Sequence, residues 1–162
     1  MNKPTFKGWI DTLPDIRVKV STLLKEYNQH IVPLMQDVAD QGNNVLVQSR
    51  HHLTDYSSVP ETAKIIETLN ESFDFTHVSY RLVMPNTCYN WHFDPGEVCY
   101  HIPLITNPGC WFVYEHRTFH MPADGSVYIV NNGRNHTFVN AGKEPRLHLT
   151  FMDFGTNNQN TY

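Results

Sequence analysis

The chain has 162 residues, with 12 Lys+Arg against 16 Asp+Glu and a formal net charge of -4. That length supports one domain with a sizeable core rather than two of ordinary size, and an acidic balance without a basic run points away from nucleic acid. No apolar run approaches the roughly 20 residues needed to span a bilayer, so a soluble protein without membrane contact is expected.

Residues 1–75 read as a helical lead-in. Leu23, Tyr27, Ile31, Leu34, Met35 and Val38 recur at helical spacing, with Pro33 bending or interrupting the element. Asn44 to Ser49 suits an early strand, and His51 to Ser58 a loop. Ser58 and Glu61 then have capping-box spacing and Pro60 suits a first helical turn. Ile65, Ile66, Leu69 and Phe73 follow as an apolar stripe, which predicts a second helix packed on a sheet.

From about residue 77 the pattern changes to short β-branched and aromatic runs. Turn signals separate them at Pro85-Asn86, Pro95-Gly96, Asn107-Pro108-Gly109, Asp124-Gly125 and Asn132-Gly133. Strands are predicted over His77 to Met84, Tyr89 to Phe93, Val98 to Ile105, Cys110 to Glu115, Ser126 to Asn131, His136 to Asn140 and Arg146 to Asp153. Seven short strands suggest a sandwich or jelly roll, and residues 155–162 a polar, frayed tail. The expected whole is a single domain, mainly β in an α+β arrangement, with a core over 76–154. Cys88, Cys99 and Cys110 form no CxxC pair and no basic, apolar N-terminal signal opens the sequence. A reducing cytoplasm is therefore the expected compartment. The three thiols suit small strand positions and receive no role.

The candidate chemistry lies in His92-Phe93-Asp94, His136 and Arg146. Alternate residues of an extended segment share a face, so His92 and Asp94 point the same way, and a distant His136 can close a metal site. Two imidazoles and a carboxylate leave open positions on the metal, which favours non-haem Fe(II) binding both a co-substrate and O2. Zinc would also accept these ligands. Arg146 separates the two readings, because its planar fork suits a carboxylate such as the distal end of 2-oxoglutarate. Bland alternatives exist for each residue. Seven of the ten histidines fall in the β-rich half, His92 and Asp94 could be a surface pair, and Arg146 could pair with Glu144 or Asp153. Arg146 and His148 share one strand face and Leu147, Leu149 and Phe151 the other. An inward Arg146 needs an anion. Arg81, opposite in face to Tyr80 and Leu82, could reach a substrate carboxylate or lie on the surface. Trp91 is an aromatic that could wall a pocket.

His92-Phe93-Asp94, His101-Ile102-Pro103-Leu104 with Thr106, His136-x3-Asn140 and Arg146-Leu147-His148-Leu149 together resemble the aspartyl/asparaginyl β-hydroxylase group of Fe(II)- and 2-oxoglutarate-dependent oxygenases, which includes free-proline hydroxylases. The resemblance covers residues 77–154. It implies a double-stranded β-helix (jelly-roll, cupin-like) fold with helices packed on the sheet and iron at one mouth of the barrel. By that resemblance His92, Asp94 and His136 are metal ligands, Arg146 holds the distal carboxylate of 2-oxoglutarate, and His101 is a second co-substrate contact. Members of the group often carry an arginine shortly before the HIPL histidine, where this chain has Cys99 and Tyr100. The implied activity is hydroxylation of a C–H bond in an amino acid or peptidyl side chain of Asp, Asn or Pro type, with 2-oxoglutarate converted to succinate. A small-molecule or peptide substrate is expected, and the sequence is silent on oligomeric state. Two other readings stand beside it. Gly125-x5-Asn131-x-Gly133-x2-His136-x3-Asn140 resembles the second cupin motif with Asn in place of Pro, which would give a metalloprotein without 2-oxoglutarate use, and a jelly roll without catalysis could serve only to bind a ligand.

Overall fold

The structure, a computed structural model, describes residues 11–12, 60–71, 77–94 and 98–153. The predicted helix around residues 23–38, the strand at 44–49, the loop at 51–58 and the tail lie outside the described residues. One helix, α1 (Pro60–Asn70), opens with proline at a position where the missing N–H costs nothing. Nine strands are described: β1 (Asp11–Thr12), β2 (His77–Val83), β3 (Thr87–Cys88), β4 (Val98–Ile105), β5 (Cys110–Tyr114), β6 (Arg117–Phe119), β7 (Tyr128–Asn131), β8 (His136–Asn140) and β9 (Arg146–Asp153). They form a five-stranded sheet in the order β1-β7-β4-β9-β2 and a four-stranded sheet in the order β3-β8-β5-β6. Every pairing is antiparallel. The two-sheet jelly roll expected from the sequence is therefore the observed fold. No described helix is long and apolar enough to cross a membrane.

Strand alternation sorts the larger sheet into two faces. Leu147, Leu149 and Phe151 of β9, with Val78, Tyr80, Leu82, Tyr100 and Ile102, form one cluster with Ile65, Ile66 and Leu69 of α1. The helix thus covers the outer face. A hydrogen bond of 2.6 Å between the Thr62 and Tyr80 hydroxyls ties it down. On the opposite face Arg146, His148 and Thr150 point between the sheets, where Phe112, Tyr114, Met121, Tyr128 and Val130 make a second cluster with Phe119 and Phe138. The polar stripe of β9 therefore lies inside the barrel.

Boundaries of β4, β8 and β9 coincide with the predicted ones. Two expectations are corrected. Tyr89 to Phe93 is not a continuous strand: β3 ends at Cys88, and beyond it the segment meets β8 at the Tyr89 amide, which donates to the Phe138 carbonyl (3.0 Å), and at a bridge at His92. Ser126 to Asn131 shortens to Tyr128–Asn131. Asn86 (φ 57°) and Gly125 (φ 83°) occupy the left-handed region that Asn tolerates and Gly favours.

Asn140 ends β8 in a buried knot that sets the position of β9. Its Oδ1 accepts from the Gly142 amide (3.1 Å), the Asn107 carboxamide (3.2 Å) and the Cys110 thiol (3.3 Å), and its Nδ2 donates to the carbonyls of Val83 (3.0 Å) and Glu144 (2.9 Å). Val83 is the cross-strand partner of Arg146. An Asn140→Ala variant strands several buried polar groups, and we expect urea denaturation to show a loss of about 2–4 kcal/mol. A loss under about 0.5 kcal/mol, the range of ordinary surface substitutions, would show that the knot is not stabilising.

Candidate metal centre and anion pocket

His92 and His136 face each other across a narrow antiparallel bridge. The His92 amide donates to the His136 carbonyl (3.1 Å), and the His136 amide to the His92 carbonyl (2.9 Å). Two residues on, the Asp94 amide donates to the Asn132 carbonyl at 2.7 Å. This extended run puts the His92 and Asp94 side chains on one side. Trp91 and Phe93 turn to the other, 55% and 56% exposed. His136, fully buried at the start of β8, stacks on Phe112 with ring centroids 5.2 Å apart and planes 9° from parallel.

Both imidazoles are held in the tautomer a metal needs. His92 Nδ1 lies 2.8 Å from the Asn90 carbonyl, and His136 Nδ1 lies 2.8 Å from the Arg134 carbonyl. A carbonyl can only accept, so each Nδ1 carries the proton and each Nε2 keeps its lone pair. His136 Nε2 is buried without a hydrogen-bond partner. Burial holds the His136 pKa below the usual histidine value, opposed by its bond to the Arg134 carbonyl, with His92 lowering it further and Asp94 raising it. One ligand atom from each of His92, Asp94 and His136 falls within 4.8 Å of the others. His92 Nε2 and Asp94 Oδ2 are 4.0 Å apart, too far for a hydrogen bond, and both side chains are 39% exposed. Two neutral imidazoles and a carboxylate converging on an orphaned nitrogen fit a divalent ion.

Behind the trio lies a pocket lined by Arg81, Val83, Tyr89, His92, Asp94, Cys99, His101, Asn132, His136, Phe138 and Arg146. Arg146 is 4% exposed. Its guanidinium sits 4.7 Å from the Phe138 ring centroid, and its Nε and Nη2 lie 3.0 and 2.7 Å from the ring nitrogens of His148. Among the described residues no carboxylate pairs with it. Glu144 is exposed and contributes its backbone carbonyl to Asn107 and Asn140, while Asp153 stands at the far end of the eight-residue β9. Burial presses the Arg146 pKa down to about 10, so the group is still charged at neutral pH. A buried cation without a counter-ion is costly, and an anion bound in the pocket would relieve that cost.

His148 lies 3.3 Å from His101, Nδ1 to Nδ1, and His101 Nε2 is buried and unpartnered in the pocket wall. Burial first, then Arg146, holds both histidines well below their ordinary pKa of 6.5. Their folded-state pKa values are depressed, so an unfolded chain binds more protons below pH 6.5. Stability is thus full above that pH and falls as the pH drops, by up to about 1.4 kcal/mol per pH unit for each histidine. We expect urea midpoints to fall between pH 7.5 and 5.5. A flat profile would show that these histidines are not buried neutral.

Of the residues singled out from the sequence, His92, Asp94, His101, His136, Arg146 and Arg81 share this pocket, and Trp91 does not line it. Alternation with His92 already places Trp91 on the opposite side. Tyr89, Asn132, Phe138 and Cys99 join the wall without a sequence signal, since only the sheet register brings them there.

A family model described as aspartyl/asparaginyl β-hydroxylase matches residues 12–155, most of the chain. The chain belongs to the aspartyl/asparaginyl β-hydroxylase family. That match runs through α1, both sheets and every pocket residue of this family member. No curated protein sequence matches it. Among solved structures, the viral collagen prolyl hydroxylase vCPH of Paramecium bursaria Chlorella virus-1, a 2OG complex, is similar with TM-score 0.58 and 10% identity, covering 90% of this chain and 95% of that one. AviO1 from Streptomyces viridochromogenes gives TM-score 0.56 and 14% identity over 90% and 89% of the two chains. A Pseudomonas putida prolyl-4-hydroxylase gives 0.53 and 12% over 90% and 92%. At these identities the likeness is one of fold, and it extends the jelly roll of this β-hydroxylase family chain to proteins with little shared sequence.

Proposed function

We propose that the chain is an Fe(II)- and 2-oxoglutarate-dependent dioxygenase that hydroxylates a C–H bond of an amino acid or peptidyl side chain. One observation carries the reading: a single pocket holds a His/Asp/His cluster with an orphaned Nε2 and, in its wall, a buried guanidinium without a carboxylate partner. Family membership supports it, as does the fold shared with prolyl hydroxylases, one of them solved with 2OG. His92, Asp94 and His136 hold the metal. Arg146 takes the distal carboxylate of 2-oxoglutarate, oriented by His148, and His101 Nε2 meets the co-substrate as a second contact. Bound together, Fe(II), 2-oxoglutarate and O2 supply an oxidant for a C–H bond, with succinate and CO2 leaving. The protein's part is to fix the open face of the metal, orient the co-substrate, and use Phe112 and Phe138 to keep water from the buried side. The test is succinate release from 2-oxoglutarate with Fe(II) and O2, screened over free amino acids and short peptides. Substrate-stimulated succinate is expected. Its absence across a panel of Asp, Asn and Pro compounds would contradict the assigned substrate type.

A further inference from the structure

The charges on the pocket wall bear on what the substrate must carry, given the Fe(II) and 2-oxoglutarate reading above. Arg81, half-buried on β2, lines the pocket together with Arg146. Its cross-strand partner is His148, the residue that contacts Arg146, so both guanidinium groups spring from one face of neighbouring strands. Among the described residues Arg81, like Arg146, has no carboxylate partner. Among the described residues Asp94 is the only carboxylate in the pocket lining. A divalent ion with Asp94, Arg146 and Arg81 therefore carries three net positive charges, and dianionic 2-oxoglutarate neutralises two. One positive charge is left without a partner, in a site where burial strengthens its demand for one.

Asn132 supplies a second, independent observation. It lines the same pocket, 5% exposed, and its carboxamide Oδ1 is buried without a partner. Its backbone carbonyl meanwhile binds the Asp94 amide, which fixes the residue beside the metal trio. A buried amide left unpaired is unfavourable until a ligand completes it.

We propose that the substrate is held by an α-carboxylate on Arg81 and by its adjoining N–H on Asn132, making it a free amino acid or the C-terminal residue of a short peptide. Arg81 and Asn132 are then specificity-determining residues, and an internal residue of a protein chain, whose carboxyl is tied up in a peptide bond, is excluded.

The experiment titrates protein loaded anaerobically with Mn(II) and 2-oxoglutarate against free amino acids, dipeptides and the C-terminal amide of each, following heat by calorimetry. At least one free carboxylate is expected to bind, and its amide to bind roughly tenfold or more weakly, the loss of one charge-assisted pair. Comparing amino acids with dipeptides separates the two sources of the head group. Arg81→Gln should reproduce the amide penalty while its 2-oxoglutarate affinity stays within about threefold of the parent, and Arg81→Lys should recover part of the binding. Three results would overturn the proposal: no carboxylate binding to the loaded protein, equal binding of acid and amide, or a loss of 2-oxoglutarate affinity in Arg81→Gln. The last would make Arg81 a co-substrate contact. If the parent protein fails to bind 2-oxoglutarate in the loading step, the dioxygenase reading itself fails, and the charge count goes with it.

Discussion

An Arg146→Met variant is expected to lose at least about a hundredfold in 2-oxoglutarate affinity while unfolding no more easily than the parent. The affinity loss follows from removing a buried, charge-assisted contact to a carboxylate, for which about 2–5 kcal/mol is typical. The stability result follows from the other half of the balance. In the free protein Arg146 is a buried cation whose neighbours are neutral: the Phe138 ring and the His148 imidazole. Replacing such a charge with an apolar side chain of similar length is neutral or stabilising, whereas breaking a structural ion pair costs about 3–5 kcal/mol. The two roles therefore predict opposite signs. Urea denaturation of the apo variant reads the stability, and calorimetric titration of the Mn(II)-loaded variant reads the affinity. A destabilised variant with unchanged 2-oxoglutarate binding would make Arg146 a structural residue. Arg146→Lys should bind 2-oxoglutarate poorly as well, because an ammonium cannot reproduce the planar fork.

Replacing His136 with alanine should lower turnover by at least about a thousandfold, the scale of losing several kcal/mol of metal-derived stabilisation. His136 is the only fully buried member of the cluster, and its backbone pairs with His92. Alanine also removes the ring that stacks on Phe112, so His136→Gln serves as a companion that retains bulk. Both variants should lose Mn(II) binding while the bridge between the two backbones persists. Turnover retained in both, measured as succinate formed from 2-oxoglutarate, would remove His136 from the metal site.

Much of the β-rich half was legible because its strands combine period-two alternation with strong turn residues. In β9, Leu147, Leu149 and Phe151 against Arg146, His148 and Thr150 announces two faces with different surroundings, and the structure gives one face to α1 and the other to the barrel interior. The segment 89–93 misled because its aromatics favour strands, yet its backbone meets β8 only at Tyr89 and His92. β6 went unseen because Arg117–Phe119 is short and exposed at the sheet edge, where no buried face imposes alternation. The convergence of His92, Asp94 and His136 was readable from chemistry, since few spacings of His and Asp suit one ion. Pocket walls were not. Tyr89, Asn132 and Phe138 reach the site through register between β8, the bridge at His92 and the turn after β7, and such register joins residues 38 to 49 positions apart.

The most direct test of the central claim is anaerobic calorimetry in two steps, Mn(II) into the apo protein and then 2-oxoglutarate into the metal-loaded and metal-free forms. One Mn(II) is expected to bind per chain, and 2-oxoglutarate to bind tightly only after the metal is in place, since one end of the dicarboxylate would need the ion and the other Arg146. Metal binding with no 2-oxoglutarate binding to the loaded form would contradict it and favour a cupin-like metalloprotein.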